Sequence, residues 1–216
     1  MRIGVLGTGH VGQLLASRWA ALGHEVVLGS RTADNPAALA WAAGAGPLAS
    51  AGTFEQAVAR ADLAVNATAG RFSHLALAQA GTAPEGRIVL DVANALDFSN
   101  GFPPAVGAST SESLVERLQT AFPQARFVKA LNTMAVEIMV DPFRLAGGEH
   151  DVFVSGDDAE AKAVVVDLLI GTGWRPERIR DLGGLETARG TELLVVLWLN
   201  LMQRQGTNLF SLAVVG

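Results

Sequence analysis

The sequence predicts an α/β fold: a doubly wound, mostly parallel sheet with helices on both faces and a small C-terminal α/β extension. Short apolar runs alternate with longer amphipathic ones along the chain, which is typical of a parallel sheet with right-handed crossovers. The first apolar run, residues 2–6, leads without a spacer into a glycine-rich loop and then a helical pattern that ends near Gly23. At 216 residues, half of them hydrophobic, the chain suits one such domain.

The loop after the first strand reads Gly7-Thr8-Gly9-His10-Val11-Gly12. Strand, glycine loop and helix in this order form the dinucleotide-binding fingerprint of Rossmann-type domains. We expect Gly7 to permit the tight turn, Gly9 to let a pyrophosphate approach the backbone, and Gly12 to let helix and strand pack closely. The N-terminus of the helix would offer unpaired N–H groups and the positive end of its dipole to the phosphates.

The end of the second strand, residues 25–28, indicates which dinucleotide is bound. NAD-binding domains usually carry an acidic residue about 20 residues after the loop, where it binds the ribose 2′-hydroxyl. That position here holds Ser30 and Arg31, followed by Thr32. A hydroxyl and a guanidinium can bind a 2′-phosphate through charge-assisted hydrogen bonds, whereas a carboxylate would repel it. The sequence therefore predicts NADP(H) as the cofactor.

The middle of the chain continues the alternation of helices and strands. Helices are predicted at 36–44, from a Thr53 cap through Arg60, at 74–80, and around 114–122 with a capping box formed by Ser109 and Glu112. Strands are predicted at 62–67, 87–92 and 126–131, and a long loop at 93–109.

The predicted binding site follows from this strand order. In open parallel sheets, ligands bind outside the carboxyl ends of the strands. That rule brings five segments to one rim of the sheet: Gly7–Gly12, Ser30–Thr32, Thr68–Gly70, Asn94 and Asn132–Met134.

Residues 1–135 are predicted to form the NADP-binding core. Residues 136–216 are predicted to form an extension that completes the sheet and provides the acceptor pocket and the dimer interface. The extension contains a strand at 151–155, a helix capped by Asp157 or Asp158, a strand around 178–180, a helix at 185–203 and an apolar tail at 209–215. The last helix is apolar on nearly all sides between Leu193 and Met202, so we expect it to be buried in the core or between the subunits of a homodimer.

The sequence contains few candidates for chemical catalysis. It has no cysteine and no arrangement typical of a Ser-His-Asp triad or a Walker loop, and no metal site is expected. β-Hydroxyacid dehydrogenases use a Lys and an Asn on a helix, but Lys129 and Asn132 lie along a strand, where residues three apart point to opposite faces. Asn132 by itself is better interpreted as a ligand to the nicotinamide or to the second substrate. Hydride transfer between two stacked ring cofactors needs no acid or base and fits this inventory.

Charge and hydropathy exclude several classes of partner. The net charge is −5 and no basic patch is present, so a nucleic-acid surface is not expected. The longest strongly apolar run, Leu193 to Met202, is too short to span a bilayer, so no membrane association is expected. Residues 1–10 begin the first strand rather than a signal peptide, which predicts a cytoplasmic protein.

Several segments of the chain together resemble the NADPH-dependent coenzyme F-420 (F420, a deazaflavin) reductases. They are the opening Met1–Gly12, the run Gly23–Arg31, and the segments Val128–Thr133, Val152–Asp158 and Leu182–Arg189. The resemblance implies a homodimer that passes a hydride between NADPH and a small-molecule redox acceptor, the deazaflavin. It also implies phosphate contacts from Thr8, Gly9 and His10, and 2′-phosphate contacts from Ser30 and Arg31. Thr68 and Ala69 would line the nicotinamide ribose, and Asn132 and Met134 the ring pocket.

Two other functions stay open. The runs at 129–133 and 181–189 are similar to the cytoplasmic domain of the STEAP metalloreductases, which implies a flavin or ferric reductase that uses FMN or FAD. A redox-sensing NADPH-binding module without turnover is the third alternative. Oxidation of NADPH in the presence of an acceptor would separate either enzyme from the sensor.

Overall fold

The computed structural model describes residues 1–215, with ten strands and eight α-helices among them. The strands are β1 (Arg2–Leu6), β2 (Glu25–Ser30), β3 (Ala49–Thr53), β4 (Leu63–Asn66), β5 (Ile88–Asp91), β6 (Leu96–Asp97), β7 (Ala105–Val106), β8 (Arg126–Ala130), β9 (Val152–Ser155) and β10 (Ile179–Asp181). The helices are α1 (His10–Ala21), α2 (Pro36–Gly44), α3 (Phe54–Ala59), α4 (Gly70–Gln79), α5 (Leu114–Ala121), α6 (Val136–Val140), α7 (Ala159–Thr172) and α8 (Ala188–Gln205).

Eight of the strands form one sheet in the order β10-β9-β8-β5-β4-β1-β2-β3, and β6 and β7 form a separate antiparallel hairpin. All neighbours from β8 to β3 pair in parallel, and β9 pairs antiparallel to β8. The order reverses at β1 and β4, the place where Rossmann-type sheets bind dinucleotides. Because β1, β2, β4, β5 and β8 run the same way, their carboxyl ends share one edge. The structure thus confirms the predicted fold class and the predicted rim.

Two apolar clusters, one on each face of the sheet, form the core. The first packs α1, α2, α6 and α7 against the sheet and contains the buried indoles of Trp19 and Trp174. The second packs α3, α4 and α5 against the other face. Trp19 Nε1 donates to Thr172 Oγ1 at 3.0 Å, and Trp174 Nε1 donates to the Met139 carbonyl at 3.2 Å. These large side chains therefore fill the core without leaving a buried donor unpaired.

Residues 136–215 extend the same sheet rather than fold apart from it. β9 pairs with β8, and β10 pairs in parallel with β9 after the crossover through α7. The predicted cap of α7 is confirmed, since Asp158 accepts from the amide of Ala161 at 2.9 Å. The tail lies beside the start of β9, where the amide of Asp151 donates to the carbonyl of Leu212 at 2.9 Å.

The structure corrects several predicted elements. β3 was missed, because its sequence Ala-Ser-Ala-Gly-Thr has little strand propensity and the strand is held by main-chain pairing to β2. Helix α4 begins at Gly70, four residues before the predicted start. The predicted capping box of Ser109 and Glu112 is wrong: α5 is capped one turn later by Ser113 and Glu116.

The last helix is not buried on all sides by its own chain. Val195 and Leu199 face the core, whereas Val196 and Leu197 are 44% and 49% exposed. The prediction that the core of the same chain buries the helix on all sides is therefore wrong for the side that carries Val196 and Leu197. The other alternative, a subunit interface, stays a prediction.

Candidate functional site

Two adjoining cavities lie at the carboxyl edge of the sheet. We call the first, of about 360 Å³, the loop cavity; Gly7, Thr8, Gly9, Ser30 and Arg31 are among the residues that line it. We call the second, of about 270 Å³, the asparagine cavity; its lining includes Val11, Asn94, Asn132, Met134 and Met139. Both cavities are lined by Ala67, Thr68 and Ala69, so they meet at the loop between β4 and α4.

The structure gives a different account of each of the three glycines in the loop. Gly7 has a φ of 117°, a conformation that favours glycine, and a side chain there would meet the Ala67 carbonyl. A Cβ on Gly12 would lie 2.0 Å from the Gly7 carbonyl, so this glycine lets α1 pack on the turn. A Cβ on Gly9 would meet nothing within 4 Å. Packing therefore explains Gly7 and Gly12, while Gly9 is exposed and lines the loop cavity.

The β2 end contributes one free cation to the loop cavity. Ser30 is buried, and its hydroxyl donates to the carbonyl of Thr32, so its proton is already used within the turn. The Arg31 side chain is exposed and forms none of the salt bridges found among residues 1–215. Asn35, at the start of α2, also lines the cavity. The guanidinium of Arg31 is thus the group available for an anion here.

An apolar wall of the loop cavity was missed by the sequence analysis. Phe54, Phe72, Leu75 and Ala76 line it, and Phe72 and Leu75 are about half exposed. A large apolar pair three residues apart on an exposed helix face, next to the Thr68–Gly70 turn, is the signal that could have revealed it. Such a wall is suited to the flat face of a nucleobase.

The asparagine cavity is built around two amide side chains that hold each other. Asn94 Nδ2 donates to the Asn132 carbonyl at 2.7 Å, and Asn132 Nδ2 donates to Asn94 Oδ1 at 3.1 Å. Asn132 Nδ2 also donates to the carbonyl of Thr191 on α8, at 3.1 Å. Both amide hydrogens of Asn132 are therefore used, and its Oδ1 is left to accept from a ligand. Strand β8 ends at Ala130, two residues before Asn132. Leu131 between them adopts a φ of 66°, which is uncommon for a residue with a side chain and breaks the extended conformation.

A buried lysine lies directly behind these asparagines. Lys129 Nζ donates to Asp91 Oδ2 at 2.7 Å and to the carbonyl of Ala93 at 2.5 Å, and it lies 2.9 Å from Glu192 Oε1. All three charged side chains are at most 1% exposed. Although burial favours neutral lysine, the carboxylates of Asp91 and Glu192 raise the pKa of Lys129 and keep it charged. Lys129 and Asn132 thus occupy different environments, and Lys129 does not reach the cavity.

The same buried charges are connected to the loop between β4 and α4. Asp91 Oδ1 accepts from Asn66 Nδ2 at 2.6 Å, and Asn66 Nδ2 also donates to Ser73 Oγ at 2.8 Å. Thr68 Oγ1 donates to Asn66 Oδ1 at 2.7 Å. Thr68 and Asn94 both line the asparagine cavity. Asn66 therefore connects the buried pair of Asp91 and Lys129 to Thr68 through hydrogen bonds.

Three of the predicted cofactor residues do not line either cavity, and each has another contact. Gly12 packs on Gly7, and the carbonyl of Thr32 accepts from Ser30. The His10 ring lies 3.2 Å from the Glu137 carboxylate on α6, and most of its side chain is exposed. His10 and Gly12 remain at the N-terminus of α1, where they offer backbone N–H groups. The other predicted residues, from Gly7 to Met134, line one or both cavities.

The asparagine cavity offers little side-chain chemistry. Among its lining residues, Arg71 is the sole ionisable one, and arginine keeps its proton. Residues 1–215 contain no cluster of three or more His, Asp or Glu residues arranged to hold a metal ion. Nor does any helix in the described part of the chain have the length and apolar character needed to cross a bilayer. The cavity can position and cover a planar group, but it supplies no general acid or base.

Comparison with known proteins agrees with this geometry. The family described as NADP oxidoreductase, coenzyme F420-dependent, matches residues 2–95, which span β1 to β5. The crystal structure of a candidate F420-dependent NADP-reductase from Arthrobacter sp. FB24 is 44% identical over the whole of both chains, with a TM-score of 0.93. The chain belongs to the coenzyme F420-dependent NADP oxidoreductase family. It is thus an NADP-dependent oxidoreductase by family, and the predicted resemblance is confirmed.

Two further likenesses are more distant. Metalloreductase STEAP3 of Rattus norvegicus is 28% identical over 193 residues, which is 89% of this chain and 36% of that protein. The chain therefore spans about a third of the length of this curated relative. An imine reductase from Streptomyces aurantiacus is 20% identical, with a TM-score of 0.63 over 94% of this chain and 64% of the other. At that identity, the likeness to the imine reductase is one of fold alone.

Proposed function

We propose that the chain binds NADPH across the two cavities. Backbone N–H groups of the glycine loop and the start of α1 would bind the pyrophosphate beside the space at Gly9. The exposed guanidinium of Arg31 would bind the 2′-phosphate, and the wall of Phe72 and Leu75 would pack against the adenine. The nicotinamide would then enter the asparagine cavity, where Asn132 Oδ1 can accept from its carboxamide.

We propose further that the bound NADPH exchanges a hydride with F420 or with a flavin. The observation that carries this proposal is that the asparagine cavity joins the loop cavity at Ala67–Ala69 and contains no acid or base. Transfer between two stacked rings needs position rather than proton transfer from a side chain. The thioethers of Met134 and Met139 line this cavity and suit contact with an aromatic ring.

A turnover assay tests this function. Absorbance of NADPH is followed with F420, FMN, FAD and a simple carbonyl compound, each as the sole acceptor. We expect oxidation with a deazaflavin or flavin and none with the carbonyl. Deuterium placed on carbon 4 of NADPH should appear in the reduced deazaflavin. If no deazaflavin or flavin is reduced, the reductase proposal is wrong. It is also wrong if all of the deuterium is found in the solvent, because the position of the deazaflavin that accepts the hydride does not exchange its hydrogen with water.

A flavin or ferric reductase is the second candidate, and the likeness to STEAP3 over most of this chain favours it. It predicts faster NADPH oxidation with FMN or FAD than with F420 in the same assay. A third candidate, an NADPH sensor, predicts NADPH binding without oxidation by any of these acceptors.

We propose that the chain forms a homodimer through α8 and the tail. The support is the row of apolar side chains that the single chain leaves exposed there, Val196, Leu197, Val214 and Val215. Leu197→Glu should convert dimers to monomers in light scattering, while Gln124→Glu, which adds the same charge at an exposed position between α5 and β8, should not. A wild-type protein that is monomeric at micromolar concentration would contradict this interface.

A further inference from the structure

A third cavity, of about 460 Å³, lies beside the asparagine cavity on the same edge of the sheet. It is enclosed by the start of α4, the β6-β7 hairpin and α5, and we call it the hairpin cavity. Arg71 and Leu96 line both it and the asparagine cavity, so the two adjoin. Its volume exceeds that of the asparagine cavity, and nothing in the proposed placement of NADPH uses it.

The hairpin cavity carries positive charge in a chain whose net charge is −5. The side chains of Arg71 and Arg117 line it, against one carboxylate, Asp97. Asp97 accepts from the amide and the hydroxyl of Ser99, both at 2.9 Å, and its single negative charge is outnumbered by the two guanidinium groups. These hydrogen bonds also lower the pKa of Asp97.

The guanidinium groups of Arg71 and Arg117 make few strong polar contacts with the rest of the protein. Arg117 lies 3.7 Å from the exposed carboxylate of Glu112 and donates to the Gly107 carbonyl at 3.3 Å. Arg71 packs over the ring of Phe72 and forms none of the salt bridges found among residues 1–215. Donors of this kind are available to an anionic ligand.

The remaining walls of the hairpin cavity are apolar. Leu96 and Val106 come from the hairpin, and Leu114 and Leu118 from α5. An aliphatic chain fits such walls, and an anionic group at its end would reach Arg117. The cavity therefore combines the features that recognise a flexible chain ending in an anion, next to the place proposed for a ring.

We propose that the hairpin cavity binds the phosphate-bearing side chain of the acceptor whose ring lies in the asparagine cavity. This inference rests on the proposed function, and it makes Arg117 a determinant of acceptor specificity. Arg71, at the boundary of the two cavities, would contact both the side chain and the ring. Acceptors that share a ring but lack the anionic group should then bind more weakly.

The test is a set of binding titrations on the NADP⁺-saturated protein. Two matched pairs of probes are used: FMN against riboflavin, and F420 against the neutral deazaflavin that keeps the ring and ribityl chain alone. We expect the phosphate-bearing member to bind roughly tenfold more tightly, the effect of one charge-assisted hydrogen bond at a partly exposed site. A preference in one pair and not in the other identifies which side chain the cavity accepts.

Variants then assign the effect to Arg117. Arg117→Gln should remove most of the preference without changing the affinity of the neutral probe, and Arg117→Lys should keep most of it. Arg60→Gln is the matched control, because Arg60 is exposed and lies at the end of α3, away from both cavities. Should Arg117→Gln not fold, added salt on the wild type decides instead, since it should weaken the phosphate-bearing probe far more than the neutral one.

Equal affinities within both pairs in the wild type would overturn the inference, as would an equal loss for both probes in Arg117→Gln. The outcome is separate from that of the proposed function, because binding is measured without turnover. Equal affinities together with NADPH oxidation would remove only the hairpin-cavity inference. A phosphate preference without any oxidation would instead remove the proposed reaction and leave the binding site standing.

Discussion

The loop cavity and the asparagine cavity adjoin, yet they are built in different ways. The loop cavity is lined by short contiguous segments such as Gly7–Gly9 and by side chains near the surface such as Phe72 and Leu75. The asparagine cavity is made of side chains whose hydrogen bonds join residues 38 and 59 positions apart. Behind it lie three charges that are buried almost completely.

This difference separates binding from stability. An exposed side chain at the loop cavity, such as Arg31, can be changed with little effect on the rest of the protein, because few protein contacts depend on it. A change behind the asparagine cavity also breaks contacts between β5, β8 and α8. We therefore expect mutations at the first cavity to act on affinity, and mutations at the second to act on folding as well.

The largest effect should come from Lys129→Met, which leaves Asp91 and Glu192 buried without their cation. Removal of one partner from a buried ion pair costs about 3–5 kcal/mol of unfolding free energy. Denaturation in urea measures it. The control is Lys162→Met, whose partner Asp181 is more than half exposed, and which should cost less than about 1 kcal/mol. A loss below that for Lys129→Met would show that the network does not support the cavity.

Arg31→Ala tests the other side of the comparison. Loss of a hydrogen bond to a charged group should weaken NADPH binding by about 1.5–3 kcal/mol and leave NADH binding and thermal stability nearly unchanged. Titration with both cofactors measures this, with Arg60→Ala as the control. Equal losses for NADPH and NADH would contradict the assignment of Arg31 to the 2′-phosphate.

Asn132→Ala is expected to act on turnover. In the proposed placement of NADPH, its Oδ1 accepts from the nicotinamide carboxamide, so loss of the side chain should slow NADPH oxidation about tenfold, the effect of roughly one hydrogen bond. The affinity for NADPH should change only a few-fold, because the phosphate contacts are remote. Gln124→Ala, at an exposed position between α5 and β8, is the control. If Asn132→Ala weakens NADPH binding as much as Arg31→Ala does, the two cavities do not divide the work in this way.

The smallest effect concerns Glu116, which links α5 to Arg189 on α8 at a partly exposed position. Hydrogen bonds from Arg189, helped by Ser113, lower the pKa of Glu116 from 4.5 to about 2. Because the folded state then binds fewer protons than the unfolded one between these values, stability falls as the pH falls through that range. We expect this dependence to be about 1 kcal/mol after allowance for solvent screening.

Thermal unfolding between pH 5 and 2 measures the contribution of Glu116. Glu116→Gln should flatten the curve in this range, whereas Glu85→Gln, at an exposed position, should leave it as in the wild type. A curve for Glu116→Gln that is as steep as the wild-type curve would show that the ion pair is absent in solution.

The sequence by itself determined the first strand, the glycine loop and the Arg31 position, because each depends on residues that are close together in the chain. It also determined the rim, since the alternation of strands and helices fixes the direction of the core strands. The roles of Gly7 and Gly12 followed from the same local pattern and are confirmed by the contacts that a side chain would make there.

The tertiary structure decided what depends on distant partners. Two Ser-x-x-Glu patterns precede α5, at Ser109 and at Ser113, and local sequence does not choose between them. The amides of Leu114 and Val115 donate to Glu192 on α8, which places the start of the helix after Ser113. Likewise, Lys129 reads as an ordinary strand residue until β5 and α8 bring carboxylates to it. A buried charge is stable only where folding supplies its partners, and those partners lie far away in the chain.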